Sequence, residues 1–407
     1  MTEYKGAEYL KRKLEMKRPR VLLRYKFYEQ KQSAADFGIS TPKGLEWFQA
    51  VNGWCTKAVD GLADRLQFDG FDNDEFMMQE MFNMNNPDII FDSAILNALI
   101  TSCSFLYISR GEDSKPRIQV IDGGNATGII DDFTNLLVEG YAVLERDESG
   151  NPLTYAYFQR GETWVYEAGK KNPIAHESTG ADYAALVPVI YKPDAKRPFG
   201  HSRISRACMN IALSAMRTVK RSEIAAEFYS FPQKYATGLS QDAEIMDSWK
   251  ATMSAMLSFT RDDEGNSPTL GQFQQQSMQP HIEQLKGFAS MFAGETGLTM
   301  DDLGFVTQNP SSAEAIKAAH ETLRLAARKA QRCFNVGFIN AGYIAACIRD
   351  GKNYNRAEVY KTSVEWLPVF EPDAAMLSAI GDGIIKINQS VPEYFTEKRI
   401  HRLTGIK

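Results

Sequence analysis

The 407-residue sequence predicts an α+β fold that is mostly helical. Three observations predict this class. Apolar residues recur at helical spacing over residues 47–66 and 202–229, they alternate with polar residues between 116 and 191, and an alanine-rich stretch over 311–349 contains no proline. No apolar run approaches the length of a membrane-spanning helix, so a globular chain without membrane contact is expected.

The N-terminal part of the chain combines helices with strands. The helix predicted over 47–66 ends at the glycines and acidic residues of "FDGFDNDEF". A second helix is predicted over 88–110, and the end of this segment is rich in β-branched and aromatic residues. Between 116 and 191, the turns "DESGNP" and "RGET" separate alternating segments, which predicts an antiparallel meander. Pro232 ends the helix predicted over 202–229.

The longest predicted helix covers 311–350. Ser311 or Ser312 is its expected N-cap and Gly351 its expected end. An unbroken helix of this length spans about 58 Å. One face repeats apolar residues, with a seam of glycines and alanines that allows close approach, and the opposite face is basic: Arg324, Arg328, Lys329 and Arg332. The seam fits side-by-side packing between subunits, and it fits equally a buried core helix of one monomer.

Signals of catalysis are missing. The sequence has no phosphate-binding loop, dinucleotide fingerprint, zinc-protease motif or nucleophile elbow, so no enzyme activity and no cofactor are expected. Acidic clusters at 131–132, 262–264 and 301–302 have the right chemistry for Mg²⁺, but loops and helix caps explain them better, so no metal site is expected. His201 and Ser202 are interpreted as a turn before a helix.

The net charge of −5 disfavours a broad basic surface that clamps nucleic acid.

Six segments carry a family resemblance that covers nearly the whole chain. In chain order they read "LRYKFYEQKQSAADFGISTPKGL", "KAVDGLADRLQFDGF", "VPVIYKPDAKRPFGHSRIS", "AAEFYSFPQKYATG", "LGFVTQNPSSAEAIKAAHETL" and "GIIKINQSVPEYFTEKRI". Their order and approximate spacing resemble those of bacteriophage portal proteins, the head-to-tail connectors of tailed double-stranded DNA phages, of the siphophage type.

The resemblance implies a ring, expected to be a dodecamer, at one capsid vertex of the virion. Double-stranded DNA would pass through its channel during packaging, which a separate ATP-driven terminase powers, and again during ejection. The implied partners are the terminase large subunit, a head-tail adaptor, and the major capsid and scaffold proteins. Assembly is expected in the host cytoplasm.

The resemblance also implies a division of the chain. Residues 1–310 would form the N-terminal and wing region, 311–350 the first stem helix, 352–372 the clip, 373–386 the second stem helix, 386–392 the tunnel loop and 393–407 a C-terminal helix, with the crown short or absent. The expected subunit-packing residues of the stem are Ile316, Leu323, Ala327, Phe334, Ala341 and Ala345. The expected docking residues of the clip are Tyr354, Arg356, Glu358, Tyr360, Glu365 and Trp366. The expected DNA contacts of the tunnel loop are Lys386, Asn388, Gln389 and Ser390.

Two other functions stay open at this level. A metal-dependent DNA-processing enzyme would use the acidic pairs, and a monomeric helical structural or adaptor protein would use the long helix in its own core. A ring seen by electron microscopy, without intrinsic ATPase activity, distinguishes the portal from both.

Overall fold

The computed structural model describes most of the chain. The described residues are 4–35, 41, 43–111, 113–230, 234–237, 267, 269–272, 277–305, 313–370 and 372–406. The chain divides into two compact units, of which the first combines residues 1–31, 53–209 and 293–407, and the second combines 32–52 and 210–292. The predicted α+β class is confirmed, because helices and antiparallel strands occur together and helical residues outnumber strand residues.

The described α-helices are, in chain order, α1 (Ala7–Tyr28), α2 (Trp54–Ala63), α3 (Met78–Asn83), α4 (Pro87–Thr101), α5 (Arg206–Ser230), α6 (Gln279–Thr296), α7 (Ala313–Ala319), α8 (Glu321–Asp350), α9 (Arg356–Val359), α10 (Ala374–Ser390) and α11 (Glu397–Thr404). Short 3₁₀ turns lie at Lys43–Leu45 and Asp301–Leu303. Among these helices, none has the length and apolar character needed to cross a membrane.

The described strands are β1 (Phe68–Asp72), β2 (Cys103–Arg110), β3 (Pro116–Ile121), β4 (Ala126–Ile130), β5 (Leu137–Arg146), β6 (Pro152–Gln159), β7 (Glu162–Glu167), β8 (Ala175–Ser178), β9 (Leu186–Ile190), β10 (Lys234–Thr237), β11 (Thr269–Gln272) and β12 (Ser363–Trp366). They pair antiparallel in four sheets, with strand orders β1-β12, β10-β11, β3-β2-β9 and β4-β5-β6-β7-β8.

The predicted meander corresponds to the five-stranded sheet, in which each strand pairs with the next along the chain. The prediction of one meander over 116–191 is wrong at both ends. β3 and β9 pair with opposite edges of β2 in the three-stranded sheet. Alternating hydrophobicity marks a strand with one buried face, and it carries no information about which strand becomes its neighbour.

Helix α1 is attached to the five-stranded sheet through polar contacts. Glu139 of β5 is fully buried, and its carboxylate accepts hydrogen bonds from the backbone N–H groups of Lys5 (2.9 Å) and Gly6 (2.7 Å) and from the Tyr157 hydroxyl (2.6 Å). Farther along α1, the Lys13 ammonium donates to the Gly128 carbonyl of β4 at 2.7 Å. These contacts join residues more than one hundred positions apart, so α1 docks only once the sheet exists.

The long helix predicted over 311–350 is interrupted. Helix α7 ends at Ala319, His320 forms a turn, and α8 runs from Glu321 for about 45 Å. The His320 ring lies beside Phe370, with 6.0 Å between centroids. No proline or glycine marks this break. The predicted end at Gly351 is confirmed, with φ +65 at the C-cap, and the predicted N-cap at residues 311–312 lies outside the described residues.

Candidate assembly and channel surfaces

The residues expected to pack between stem helices mostly face their own chain. Ile316 on α7 is 50% exposed. The other five are buried within the subunit: Leu323, Ala327, Phe334, Ala341 and Ala345. A side chain buried in its own subunit cannot contact a second copy, so this prediction is wrong for these five residues.

The small-residue seam of α8 serves close packing inside the first unit. A Cβ atom on Gly337 would lie 3.1 Å from the Val189 Cα of β9, and one on Gly342 would overlap the Met78 side chain of α3. The same seam would suit a neighbouring subunit, and here the chain's own sheet and α3 occupy it. The intrachain alternative is therefore the correct one for this face.

The segment 352–372, predicted as an exposed clip, is paired with the rest of the first unit. Its strand β12 pairs with β1, with Trp366 opposite Phe68. The Trp366 indole N–H donates to the Asn335 Oδ1 of α8 at 2.6 Å. Glu365 is 8% exposed. Backbone pairing with β1 and these side-chain contacts contradict a free-standing clip.

The remaining clip residues also have intramolecular partners, with one exception. The Arg356 guanidinium donates to the Thr134 carbonyl at 2.9 Å and lies 4.1 Å from the Tyr360 ring. The Tyr360 and Tyr354 hydroxyls donate to Asn340 (3.0 Å) and Asp350 (2.6 Å) respectively. Glu358, on the short helix α9, is the one predicted docking residue that is exposed.

The predicted tunnel loop is helical over most of its length. Helix α10 continues to Ser390, so Lys386, Asn388, Gln389 and Ser390 lie in its last turns. The helix ends at Val391, which has extended angles (φ −133, ψ 95) because Pro392 disfavours the helical region for the residue before it. Asn388 secures the following turn, since its side chain accepts from the Phe395 N–H (2.8 Å) and donates to the Phe395 carbonyl (3.1 Å). The expected loop at 386–390 is therefore wrong.

The sequence matches the family described as "Phage portal protein, SPP1 Gp6-like" over residues 7–376. This range covers most of the chain. The chain belongs to the SPP1 Gp6-like phage portal protein family. The predicted resemblance is thereby confirmed.

Two portal proteins are similar to this chain in sequence. Those of Mycobacterium phage L5 and Mycobacterium phage D29 are each 24% identical over 319 residues, which cover 73% of this chain. The chain spans 65% of the length of each relative.

Two solved structures are similar over 88% of this chain and 90% of theirs. They come from the virion of a native gene transfer agent particle (11% identity) and from the neck of a native gene transfer agent particle computed with C12 symmetry (12% identity). Both have a TM-score of 0.43.

In this portal family member, helix α11 is held to the β1-β12 sheet by charged groups. Arg402 donates to Glu365 (Nε to Oε1, 3.0 Å) and to Asp72 (2.8 Å), and Lys398 forms an ion pair with Asp72. His401 Nε2 lies 2.7 Å from the Asp69 carboxylate. The hydrogen bond from Lys398 is the largest influence on the pKa of Asp72 and lowers it below its ordinary value. No residue of α11 is buried, so these ionic contacts carry its attachment.

Helices α10 and α11 enclose an open apolar groove of about 1070 Å³. No residue of α10 is buried either. The groove is lined mainly by aliphatic side chains, among them Leu377, Ile380, Ile384, Ile400 and Ile406. The family resemblance implied a helix over 373–386, and the apolar face of α10 has no covering element among the described residues.

The acidic pairs that suggested Mg²⁺ act locally where they are described. The Asp131 carboxylate accepts from the Thr134 hydroxyl (2.5 Å), and the Asp302 carboxylate accepts from the Thr299 N–H (2.8 Å). Residues 262–264 lie outside the described residues. Within the described ranges, no group of three His, Cys, Asp or Glu side chains is placed to hold a metal ion.

His201 and Ser202 do not form a catalytic pair. The His201 ring contacts the Asp194 carboxylate at 2.5 Å, an acidic partner that sequence alone did not reveal. The Ser202 hydroxyl instead donates to the Ile100 carbonyl at 2.6 Å and accepts from the Ile204 N–H at 3.0 Å. This geometry fits the predicted turn before α5.

Proposed function

We propose that this chain is the subunit of a portal ring, expected to be a dodecamer, at one capsid vertex of a phage virion. Double-stranded DNA would pass through the ring during packaging and ejection. The observation that carries this proposal is the family match over residues 7–376. Assembly with capsid and scaffold proteins would take place in the host cytoplasm.

The proposed role is a passive one. A separate ATP-driven terminase would supply the chemistry of packaging, and a head-tail adaptor would dock on the ring later. Tight phosphate contacts slow a sliding polymer, and neutralisation of phosphates supplies most non-specific DNA affinity. The net charge of −5 is consistent with a channel that holds DNA weakly. Lys386 and Gln389, both exposed on α10, stay candidate DNA contacts.

The helix pair α5–α6 is a better candidate for the stem than α8 and α10. The pair is antiparallel, since Ser205 bonds to Glu295 (2.7 Å) and Thr218 bonds to Gln284 (3.1 Å). Between the two helices the chain forms the antiparallel strands β10 and β11. Two helices joined by a connecting segment are the features that the family resemblance implies for the stem and clip. Strands β10 and β11 would then belong to the docking clip.

Electron microscopy and mass photometry of the purified chain test the proposal. A closed ring with a central channel, and no ATP hydrolysis, is the expected result. A single particle of one subunit would favour the adaptor function, and metal-dependent cleavage of DNA would favour the enzyme. Either of these results would overturn the portal assignment. Packaging of DNA into proheads that carry the ring then tests the conduit role directly.

A further inference from the structure

The outer face of helix α8 carries an excess of cations over acidic residues. Arg328, Lys329 and Arg332 are exposed, and none of them forms an ion pair with another described residue. From residue 322 to residue 349 the helix contains no Asp or Glu. Glu321 is already engaged by Arg324, which donates two hydrogen bonds of 2.6 Å to its carboxylate. Like charges four residues apart destabilise a helix by about 0.2–0.5 kcal/mol, so this face gains from an anionic partner.

Two hollows flank these cations. One, of about 480 Å³, includes Leu325 and Trp366 in its lining, and Leu325 is 55% exposed. The other, of about 290 Å³, has a mainly apolar lining that includes Pro188, Ile190 and Val336. A phosphate backbone makes no use of apolar hollows. Arginine beside aromatic and aliphatic side chains is instead the composition of protein interfaces. We call Leu325, Arg328, Lys329, Arg332 and Trp366 the cationic face.

Helix α4 presents the opposite chemistry. Asp88 and Asp92 lie one turn apart on it, and Asp64, which follows α2, adds a third carboxylate. All three are exposed, and none has an ion-pair partner among the described residues. Between them Ile89 is 67% exposed. Partial burial raises the pKa of Asp92, and repulsion from Asp88 and Asp64 raises it further. We call Asp64, Asp88, Ile89 and Asp92 the acidic face.

The two faces lie on helices that are in contact with each other. The buried rings of Phe91 on α4 and Phe338 on α8 meet edge to face, with 4.5 Å between centroids, so the inner sides of the two helices are in contact. At about 100° per residue, Ile89 lies about 160° around α4 from Phe91, whereas Asp88 and Asp92 lie about 60° and 100° from it. Arg332 lies about 120° around α8 from Phe338, the residue that contacts Phe91. The acidic and cationic faces are therefore two separate patches of the same unit, and both lie outside the contact between the two helices.

We propose that the acidic face of one copy binds the cationic face of the next copy, with Ile89 seated in the hollow beside Trp366. This inference rests on the proposed ring and identifies its subunit contact. Two different, complementary patches on one subunit produce a head-to-tail interface, which closes into a ring when the rotation between copies permits. Each face neutralises the repulsion within the other, and opposite charges accelerate encounter at low salt.

Reciprocal charge reversal tests the contact. One variant carries Arg328→Glu, Lys329→Glu and Arg332→Glu; a second carries Asp64→Lys, Asp88→Lys and Asp92→Lys; a third combines all six. We expect either single set to raise the concentration needed for ring formation at least tenfold, and the combined set to restore assembly. Asp113→Lys with Arg117→Glu, which reverses an exposed pair elsewhere, is the matched control and should assemble normally.

Several outcomes overturn the proposal. If either three-residue variant forms normal rings, the proposed contact is wrong but the portal function stands. The same holds if the six-residue variant forms no rings although circular dichroism shows that its monomer is folded. If the first set assembles normally but the ring loses binding of a 20-base-pair duplex, the cationic face serves nucleic acid instead. A wild-type chain that stays monomeric at every concentration overturns the proposed ring as well. Ile89→Ser, at an exposed position that folding tolerates, must also weaken assembly.

Discussion

The phenyl ring of Phe91 meets that of Phe338 edge to face, 4.5 Å apart, and joins helices α4 and α8 at the centre of the first unit. Phe68 of β1 stacks on Phe91 at 3.5 Å, and Trp366 of β12 lies 6.3 Å from Phe68. These four rings connect segments from both ends of the chain. They form an aromatic cluster on which both helices and the β1-β12 sheet depend.

Replacement of Phe338 by Ala should destabilise the fold strongly. Its ring is fully buried, and removal of a buried phenylalanine typically costs about 3–5 kcal/mol. Urea denaturation followed by circular dichroism measures the change. Leu325→Ala is the control, because this residue lies on the exposed side of the same helix and should change stability by less than about 0.5 kcal/mol. Equal effects of the two variants would contradict the packing described for α8.

Ala341→Trp should impair folding rather than assembly alone. Ala341 is fully buried against its own chain, and overpacking such a site typically costs about 1–3 kcal/mol or more. Thermal unfolding of the unassembled chain provides the measurement, with Ile316→Trp at a half-exposed position as control. A variant that is fully stable as a monomer but forms no rings would restore the interpretation of this seam as a subunit contact.

The lowered pKa of Lys13 predicts that the folded chain becomes more stable as the pH rises above neutral. Burial, with repulsion from Lys17 and Lys5, lowers the pKa of Lys13 to about 8, whereas an unfolded chain holds this proton to about pH 10.4. Between these values the unfolded state binds more protons, so the contribution of Lys13 to stability increases with pH. Denaturation midpoints at pH 7.5 and 9.5 should show a gain in the wild type that is smaller in Lys13→Met. Lys11→Met on the same helix is the control. If both variants reduce the rise in stability between pH 7.5 and pH 9.5 equally, the lowered pKa of Lys13 is not its cause.

The ionic attachment of α11 predicts a local opening without global unfolding. Arg402→Met removes the hydrogen bonds to Glu365 and Asp72. Because a charge-assisted hydrogen bond contributes on the order of 1.5 kcal/mol, amide exchange in residues 397–404 should accelerate roughly tenfold. Arg399→Met on the same helix is the control, since Arg399 contacts Tyr394 within its own segment. Unchanged exchange in the Arg402 variant would show that the groove, not the ion pairs, retains the helix.

The same attachment should weaken in acid. The pKa of Asp72 is lowered in the folded chain, so its stabilising effect is complete above about pH 3.9 and is lost as the pH falls through the lowered value. Exchange rates of 397–404 between pH 5 and pH 2.5, corrected for intrinsic chemistry, should rise in the wild type. In Asp72→Asn they should already be high at pH 5.

The sequence predicted elements whose signal is local. Periodicity located α5, alternation located the five-stranded meander, and Gly351 marked the end of α8. The last turn of α10 was missed because Asn388 and Ser390 favour turns, whereas the residue before Pro392 decides where the helix stops.

The candidate site was less predictable, because it depends on what lies opposite each face. A seam of small residues looks the same whether a sheet or a second subunit covers it, and here Gly337 approaches β9. The segment 352–372 gave no local signal of its pairing with β1, which is almost three hundred residues earlier. The basic residues of α8 were visible in the sequence, but the acidic face needs Asp64 brought beside α4 by tertiary packing.

The buried Glu139 carboxylate has a consequence for how the chain is made. Lys5 and Gly6 leave the ribosome long before Glu139 of β5, which accepts their hydrogen bonds. The basic side chains of α1 therefore stay in water until β4 and β5 have emerged. Contacts between residues this far apart in sequence form late and slow folding, because the chain loses the entropy of loop closure before the contacts contribute any stability. During translation α1 is thus an unattached polycation, and the nascent chain exposes it to nucleic acid or chaperones until β5 has emerged.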